Sequence, residues 1–343
     1  MVPKGVILYG PGRVGQLAAR LIVQNGWKVV AAVNRSGSKI GADLGELCNE
    51  PRLSGIVVQE EGGFDPRSVA ADIVVVTASD RVRVNLPVYR RFLAAGVNVL
   101  CVGCESSYPW AASPEIADEI DALAKSNNVT FTGSGFQDVH RVWLGMLLIG
   151  GCSNIRSFSH TSATDIGPHG LETARLVYAG LTVEQFEREV TSAVGRDTSV
   201  YRVFFEQVAR STGIAVVKVE ERLEPIVSKD DLYCPAFDGK IKAGLVIGTR
   251  FRTDVKMANG VFGTARNELR LFHRGEQPRI EWSVDGDPPA QVTVAGFDSY
   301  HGTAAPLVNR IPDVLAASPG IVTIDRLGPP KYPKGRSGSN SRS

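Results

Sequence analysis

GVILYGPGRVGQLAAR, residues 5–20, decides the fold. An apolar run of strand length stops at a glycine-rich loop, and the chain then enters a pattern of helix-forming residues. Gly10, Gly12 and Gly15 have the G-x-G-x-x-G spacing, and each glycine has a mechanical meaning. The first permits a tight turn, the second lets the backbone approach a pyrophosphate, and the third lets helix and strand pack closely. Free N–H groups and the positive end of the helix dipole then favour an anion. Glycine triplets also occur in ordinary turns, but here a second strand, WKVVAAVN from Trp27, completes a βαβ unit. Gly10, Pro11, Gly12, Arg13, Val14 and Gly15 are therefore expected to cradle the phosphates of a dinucleotide.

The second strand ends at Asn34, where an acid would bind the ribose 2′-hydroxyl of NAD. The chain instead reads NRSGSK, and the guanidinium, hydroxyl and ammonium of Arg35, Ser36 and Lys39 suit a phosphate. NADP is the expected cofactor, with NAD also accepted; a solvated polar loop is the plainer reading of the same residues.

Working outward, GIVVQE (from Gly55), DIVVVTAS (from Asp72), VNVLCVG (from Val97) and VTFTGSG (from Val129) are further strand candidates. Near-continuous apolar runs of this kind suit a parallel sheet buried on both faces. Between them lie helical patterns such as SPEIADEIDALAKS, with Ser113 as N-cap and Pro114 at the first helical position. Beyond about His140 helices come first and longer strands follow, with the partial alternation of an open sheet. The expected fold is α/β, an N-terminal Rossmann doubly wound parallel sheet with a second α+β domain built on an open mixed sheet. Residues 1–140 form the first domain, 141–300 the substrate and dimerisation domain, and 301–330 a helix returning to the first. Residues 331–343, rich in Ser, Gly and basic side chains, are an expected disordered tail.

Composition narrows the partners. A net charge of +2 over 343 residues gives no electrostatic case for nucleic-acid or membrane-surface binding. The most apolar run, VWLGMLLIGG from Val142, is too short to cross a bilayer and is expected as a buried helix. Five cysteines without framework spacing, and no secretory leader, suit reduced thiols in the cytoplasm. No metal site is expected.

Ligands of doubly wound sheets bind outside the carboxyl ends of the strands. Three such ends are polar or glycine-rich: Thr77-Ala78-Ser79, Val102-Gly103-Cys104-Glu105 and Gly133-Ser134-Gly135-Phe136. Glu105, expected to open a loop, falls where a nicotinamide ring and a substrate would meet; a plain surface acid is the other reading. Cys101 and Cys104 form a C-x-x-C, but neither a helix opening on it nor a second ligand pair follows, so Cys101 is expected in the core.

The order GPGRVG, VVVTAS, NVLCVGCESSYPW, TGSGFQDV and GTAAPLVNRIPDV resembles the dihydrodipicolinate reductase-like superfamily, in its branch of native amine dehydrogenases and 2,4-diaminopentanoate dehydrogenases. The resemblance implies NAD(P)H-dependent reductive amination of a carbonyl compound, and the reverse deamination. It implies that Glu105 holds the amine or ammonia, and that Asn309 lies near the nicotinamide; a helix-stabilising polar residue is the alternative for Asn309. Dihydrodipicolinate reductases proper carry a His-His pair with a lysine and a dicarboxylate-binding stretch, which SFSHTSATDIGPHGLETA lacks.

Phe136, His140 and Trp143 follow the sixth strand and are candidates to line a substrate pocket, joined from the second domain by His160, Tyr178 and Phe204. Each is equally a core residue. No strand end supplies a paired arginine for a substrate carboxylate; Arg141 and Arg156 are what remains, so a simple ketone or aldehyde is favoured over a keto acid. The expected protein is a homodimeric amine dehydrogenase. The alternatives are a 2,4-diaminopentanoate or related amino-acid dehydrogenase, and an NADP-sensing protein without turnover.

Overall fold

Strands apolar on both faces belong inside a parallel sheet. The computed structural model, which describes residues 5–192 and 199–333, contains such a sheet. Its strands are β1 (Gly5–Tyr9), β2 (Lys28–Asn34), β3 (Val58–Glu60), β4 (Ile73–Val76), β5 (Asn98–Val102) and β6 (Thr130–Ser134). They lie in the order β3-β2-β1-β4-β5-β6, with Gly320–Ile321 added beside β6, and all neighbours are parallel. The order reverses between β1 and β4, whose carboxyl ends therefore flank the crevice in which such sheets bind ligands.

Among the described residues the α-helices are α1 (Arg13–Gln24), α2 (Leu44–Cys48), α3 (Val82–Ala94), α4 (Cys104–Ser107), α5 (Pro109–Ala112), α6 (Pro114–Ser126), α7 (Leu144–Gly150), α8 (Gly170–Leu176), α9 (Val183–Ser192), α10 (Val200–Ser211), α11 (Ser299–Asn309) and α12 (Ile311–Ala316). On one sheet face, Tyr89 and Phe92 of α3 and Ile120 of α6 pack on Ile7, Val74 and Phe131. On the other, Leu17 and Ile22 of α1 and Leu307, Val308 and Val314 of α11 and α12 cover Val6, Leu8 and Val75. The chain divides into two compact units, one of residues up to Arg141 and from Asp298, the other Val142–Phe297.

The second unit carries β7 (Asn154–Asp165), β8 (Val216–Val227), a small hairpin of β9 (Leu232–Cys234) and β10 (Gly239–Ile241), and then β11 (Val246–Met257), β12 (Phe262–Arg270), β13 (Arg279–Asp287) and β14 (Ala290–Ala295). Six of these form a sheet in the order β14-β13-β7-β12-β11-β8, mixed because β7 and β12 run parallel. One face packs on α10 through Phe158, Trp282, Phe204 and Phe205, whose rings meet at 5.3–6.4 Å. Such aromatic clusters combine large buried area with favourable edge and offset contacts.

Several expectations need correction. β7 lies between β12 and β13 although its Ser, Thr and His residues give no apolar run; its strand conformation comes from pairing on both sides. α7 is not a buried helix: Leu147 is 58% exposed, and the helix packs through Gly145, where a Cβ would stand 2.8 Å from the Trp282 ring. The strand expected from Gly55 is shortened to Val58–Glu60. Glu105 opens no loop but sits in the helical turn α4, followed by α5. Ser113 precedes α6 without a side-chain capping bond. Of the expected tail, residues 334–343 lie outside the described residues, as does the end of the helical pattern beyond Ser192. Among the described residues no helix is long and apolar enough to cross a membrane.

Candidate active site

The glycine loop separates fold requirements from ligand requirements. Gly10 has φ +84°, a backbone region open to glycine at little cost. A Cβ on Gly15 would overlap the Gly10 carbonyl and stand 2.6 Å from Thr77 Oγ1, so α1 can lie against the β1 and β4 ends only without one. Thr77 Oγ1 in turn donates to the Gly10 carbonyl at 2.6 Å, tying the end of β4 to the loop. Gly12 differs from both. Its φ of −73° and ψ of −167° are open to any residue, and a Cβ there would meet only the Gly10 carbonyl, at 4.0 Å.

These facts set an expected contrast. Gly12→Ala should keep the wild-type melting temperature yet weaken dinucleotide binding by about 100-fold, because its Cβ occupies the approach of the pyrophosphate. Gly15→Ala should lower both stability and binding. Thermal unfolding and cofactor titration of the two variants test this; equal melting losses would make Gly12 a folding residue.

The other nucleotide candidates lie along the same sheet edge. Arg35 and Ser36 are exposed just after β2, and Asn34 Nδ2 donates to the Ser36 carbonyl at 2.7 Å, curling the loop; Lys39 is half-buried further on. Arg13 lies with its guanidinium over the Tyr300 ring, 3.8 Å from the centroid, a cation–π contact that draws it toward α11. Ser79 Oγ accepts from the Arg81 N–H at 3.2 Å and its carbonyl accepts from Asn85 Nδ2, shaping the turn after β4. Pro11, Val14 and Ala78 belong to the same loops, and Asn309 is half-buried at the end of α11.

The strand-to-helix switch at Glu105 has a local cause. Gly103, at φ +123°, lets the chain leave β5 and enter α4 directly. Gly133 of β6 allows α4 to press on the sheet, because a Cβ there would fall inside the backbone of Ser106 and Ser107. Glu105 is consequently fixed and only 4% exposed. Arg81 Nη1 donates to its Oε1 at 2.6 Å, and the Val82 N–H, in the first turn of α3, donates to its Oε2 at 2.8 Å. The arrangement places one anion, with a defined orientation, at the carboxyl end of β5. A carboxylate accepts at about four lone-pair sites, so these two bonds leave room for a further donor. Arg81 is absent from the sequence reading; an arginine two residues past Ser79 carries no local signal of the carboxylate it meets 24 residues later.

The cysteines take no part in such chemistry. Cys101 lies in the core. Cys104 receives the Arg141 guanidinium at 3.2 Å, yet burial pushes its thiol up to about 12 against that pull. Among the described residues no three His, Cys, Asp or Glu side chains gather as a metal site.

The candidate pocket residues belong to two units. Phe136 and His140 sit together in the first unit, ring centroids 4.7 Å apart, with the Arg141 guanidinium 5.3 Å from the Phe136 ring. Burial, and then Arg141, lowers the His140 pKa, so its imidazole is neutral at pH 7. His140 and Trp143 belong to a single π-helical stretch, Asp138–Trp143, a distortion frequent at functional sites. In the second unit, His160 and Phe204 have no exposed surface, and the His160 ring lies 4.9 Å from both Phe204 and Trp282. They are aromatic core there. Tyr178, at φ +61°, packs edge-on against Phe186 at 5.1 Å.

Residues 143–337 match the 2,4-diaminopentanoate dehydrogenase C-terminal domain. The chain belongs to the 2,4-diaminopentanoate dehydrogenase family. A 2,4-diaminopentanoate dehydrogenase of Acetoanaerobium sticklandii is 26% identical over 95% of this chain and 94% of its own length. The amine dehydrogenase of Mycobacterium smegmatis superposes with a TM-score of 0.87 at 29% identity, over 96% of this chain and 97% of that one. GenD2 of gentamicin A biosynthesis, solved in complex with NAD, shares the fold at a TM-score of 0.53 and 18% identity, over 86% and 73% of the chains.

Proposed function

We propose that this chain is an NADP-preferring amine dehydrogenase that reductively aminates small ketones or aldehydes with ammonia and catalyses the reverse oxidative deamination. Family membership and the two amine-acting relatives support the reaction class. The observation that carries it further is Glu105, a single buried carboxylate held by Arg81 and the Val82 N–H at the carboxyl end of β5. Reductive amination passes through a cation: ammonia adds to the carbonyl, water leaves, and an iminium remains to be reduced. A fixed anion beside that carbon stabilises positive charge as it develops, and can accept and return the protons moved during loss of water. A nicotinamide cofactor, when bound, supplies the hydride. Gly12 fits that cofactor: its missing Cβ clears the approach to the α1 N-terminus, where free N–H groups favour a pyrophosphate.

Arg35, Ser36 and Lys39, with no acid directly after β2, support NADP over NAD. A diamino acid is the second substrate class, favoured by the name of the Acetoanaerobium relative. It calls for a cation toward the substrate carboxylate. Of the two arginines open to that role, Arg156 is paired with Asp285 and Asp287 and Arg141 meets Cys104. The Arg156 ion pairs favour a plain carbonyl, whereas the neutral Cys104 thiol does not neutralise Arg141.

The face of the β7–β14 sheet opposite α10 supports a homodimer. Arg250 lies between Glu224 and Glu268, Arg252 meets Asp254 and Arg279 meets Glu281, while Ser159, Thr161 and Ala163 keep the centre low. Alternating charges on a sheet face can match a second copy across a two-fold axis. Sedimentation at the mass of a single 36.8 kDa chain would remove that reading. The free state of all five cysteines suits a cytoplasmic setting.

The deciding assay follows NADPH absorbance with small aldehydes and ketones, with and without excess ammonium at alkaline pH, and with amino acids and plain amines in reverse. Oxidation that depends on ammonium supports the proposal. Oxidation without it would indicate a carbonyl reductase, activity confined to amino acids would select the diamino acid class, and binding without turnover would leave an NADP sensor.

A further inference from the structure

The loop after β2 carries no acid for a ribose, but the tertiary structure brings one to its side. Glu61 directly follows β3, and its Oε2 accepts from the Tyr9 hydroxyl at 2.7 Å and lies 3.7 Å from Arg35 Nε. Tyr9 ends β1 and Arg35 follows β2, so one carboxylate spans the ends of three adjacent strands. Its position is fixed from both ends. The Arg91 guanidinium donates to the Glu61 backbone carbonyl, and Tyr9, pushed up to about 12 by burial and by its bond to Glu61, stays a hydroxyl donor. Arg35 is held less firmly. Its Nη2 donates to the Val84 carbonyl in the first turn of α3 at 3.1 Å, and nearly half of its side chain is exposed.

We propose that Glu61 is a specificity-determining residue, the counter-ion that shares Arg35 with the cofactor and thereby limits the preference for NADP over NAD. The inference rests on the reading of Arg35, Ser36 and Lys39 as a 2′-phosphate site. A phosphomonoester carries up to two negative charges and several strong acceptor oxygens. It must draw Arg35 away from Glu61 and then tolerate a carboxylate nearby. A ribose 2′-hydroxyl is neutral and can instead donate to that carboxylate, which has lone pairs beyond the one Tyr9 uses. The same side chain therefore opposes one cofactor and supports the other, and a purely structural acid would do neither.

The test is calorimetric binding to the full chain of adenosine 2′,5′-bisphosphate against adenosine 5′-monophosphate, probes that differ only in the 2′-phosphate, beside NADP⁺ and NAD⁺. Glu61→Gln should raise the bisphosphate-to-monophosphate affinity ratio about tenfold, the effect of one removed charge near a half-exposed site. Arg35→Gln should collapse the ratio, and adding Glu61→Gln to it should raise it by clearly less than tenfold, since the contest over Arg35 is gone and only the carboxylate's own effect on the phosphate and the ribose remains. An unchanged ratio in folded Glu61→Gln, or the same tenfold gain without Arg35, overturns the proposal. Should Glu61→Gln fail to fold, Glu61→Asp, which keeps the charge but withdraws it, should raise the ratio about threefold, and no rise counts against the inference. Wild-type protein that binds both probes equally defeats the NADP preference by itself. In that case a preference unmasked by Glu61→Gln still upholds the role of Glu61, and none overturns both.

Discussion

Glu105→Gln should lower the rate of amination by about 10²–10⁴-fold while the dissociation constant for NADPH stays within about twofold. Glutamine keeps the shape of the side chain and an oxygen for the Val82 N–H, so the turn α4 has no reason to move. What disappears is the negative charge beside the carbon that becomes cationic. Arg81 loses the negative charge of Glu105, but with 37% of its side chain exposed it remains hydrated and exerts little strain on the fold. Single-turnover measurement of NADPH oxidation with saturating ammonium separates the chemical step from cofactor binding. A normal rate would reduce Glu105 to the anchor of Arg81, and lost NADPH binding would make it part of the nucleotide crevice. The variant's rate with carbonyl and no ammonium is a useful control, because a neutral carbonyl reduction gains little from a nearby anion.

Arg310→Met should destabilise the protein by about 3–5 kcal/mol, the range for breaking a buried ion pair from one side. Arg310, between α11 and α12, donates through Nε and Nη2 to both carboxylate oxygens of Asp138 at 2.7 Å, and neither residue has exposed surface. Ser134 Oγ also donates to Asp138, and Arg310 Nη1 reaches Asp313 at 2.9 Å. Methionine preserves much of the volume and leaves the Asp138 anion stranded. Burial already pushes the Asp138 carboxyl above its usual range against the pull of Arg310 and Ser134, and without Arg310 it rises further. The folded variant then binds a proton that the unfolded chain lacks between the unfolded value, near 3.9, and the raised folded value. Its stability is therefore greatest below the unfolded value and falls as pH rises through the folded one. Urea unfolding should show a larger deficit at pH 8 than at pH 5, and adding Asp138→Asn should recover part of it. A deficit independent of pH, unrepaired by the second change, would indicate lost packing rather than a stranded charge.

The two variants bear on different links of the same chain of cause. Asp138 and Arg310 join the end of β6 to the returning helices, and so hold the sheet edge on which Glu105 depends through Gly133. An activity loss in Arg310→Met that vanishes in protein assayed well below its melting temperature would be a stability effect alone.

Backbone-local signals were legible in the sequence. The glycine loop, the both-sided apolar strands, the arrest of β5 just before a carboxylate and the absence of an acid after β2 each depend on a few neighbouring residues, whose φ preferences and side-chain periods act at short range. Tertiary structure alone decided what those elements meet. β7 is a strand because two neighbours pair with it, α7 turns its leucine outward because Gly145 meets Trp282, and Arg81 becomes the partner of Glu105 only when α3 and α4 converge on the sheet edge. Glu61, just past β3, comes beside Arg35, and Arg310 finds Asp138 across 172 residues. The reason is physical: such pairs arise where packing brings distant segments together and removes water from their charges, and no spacing along the chain encodes that.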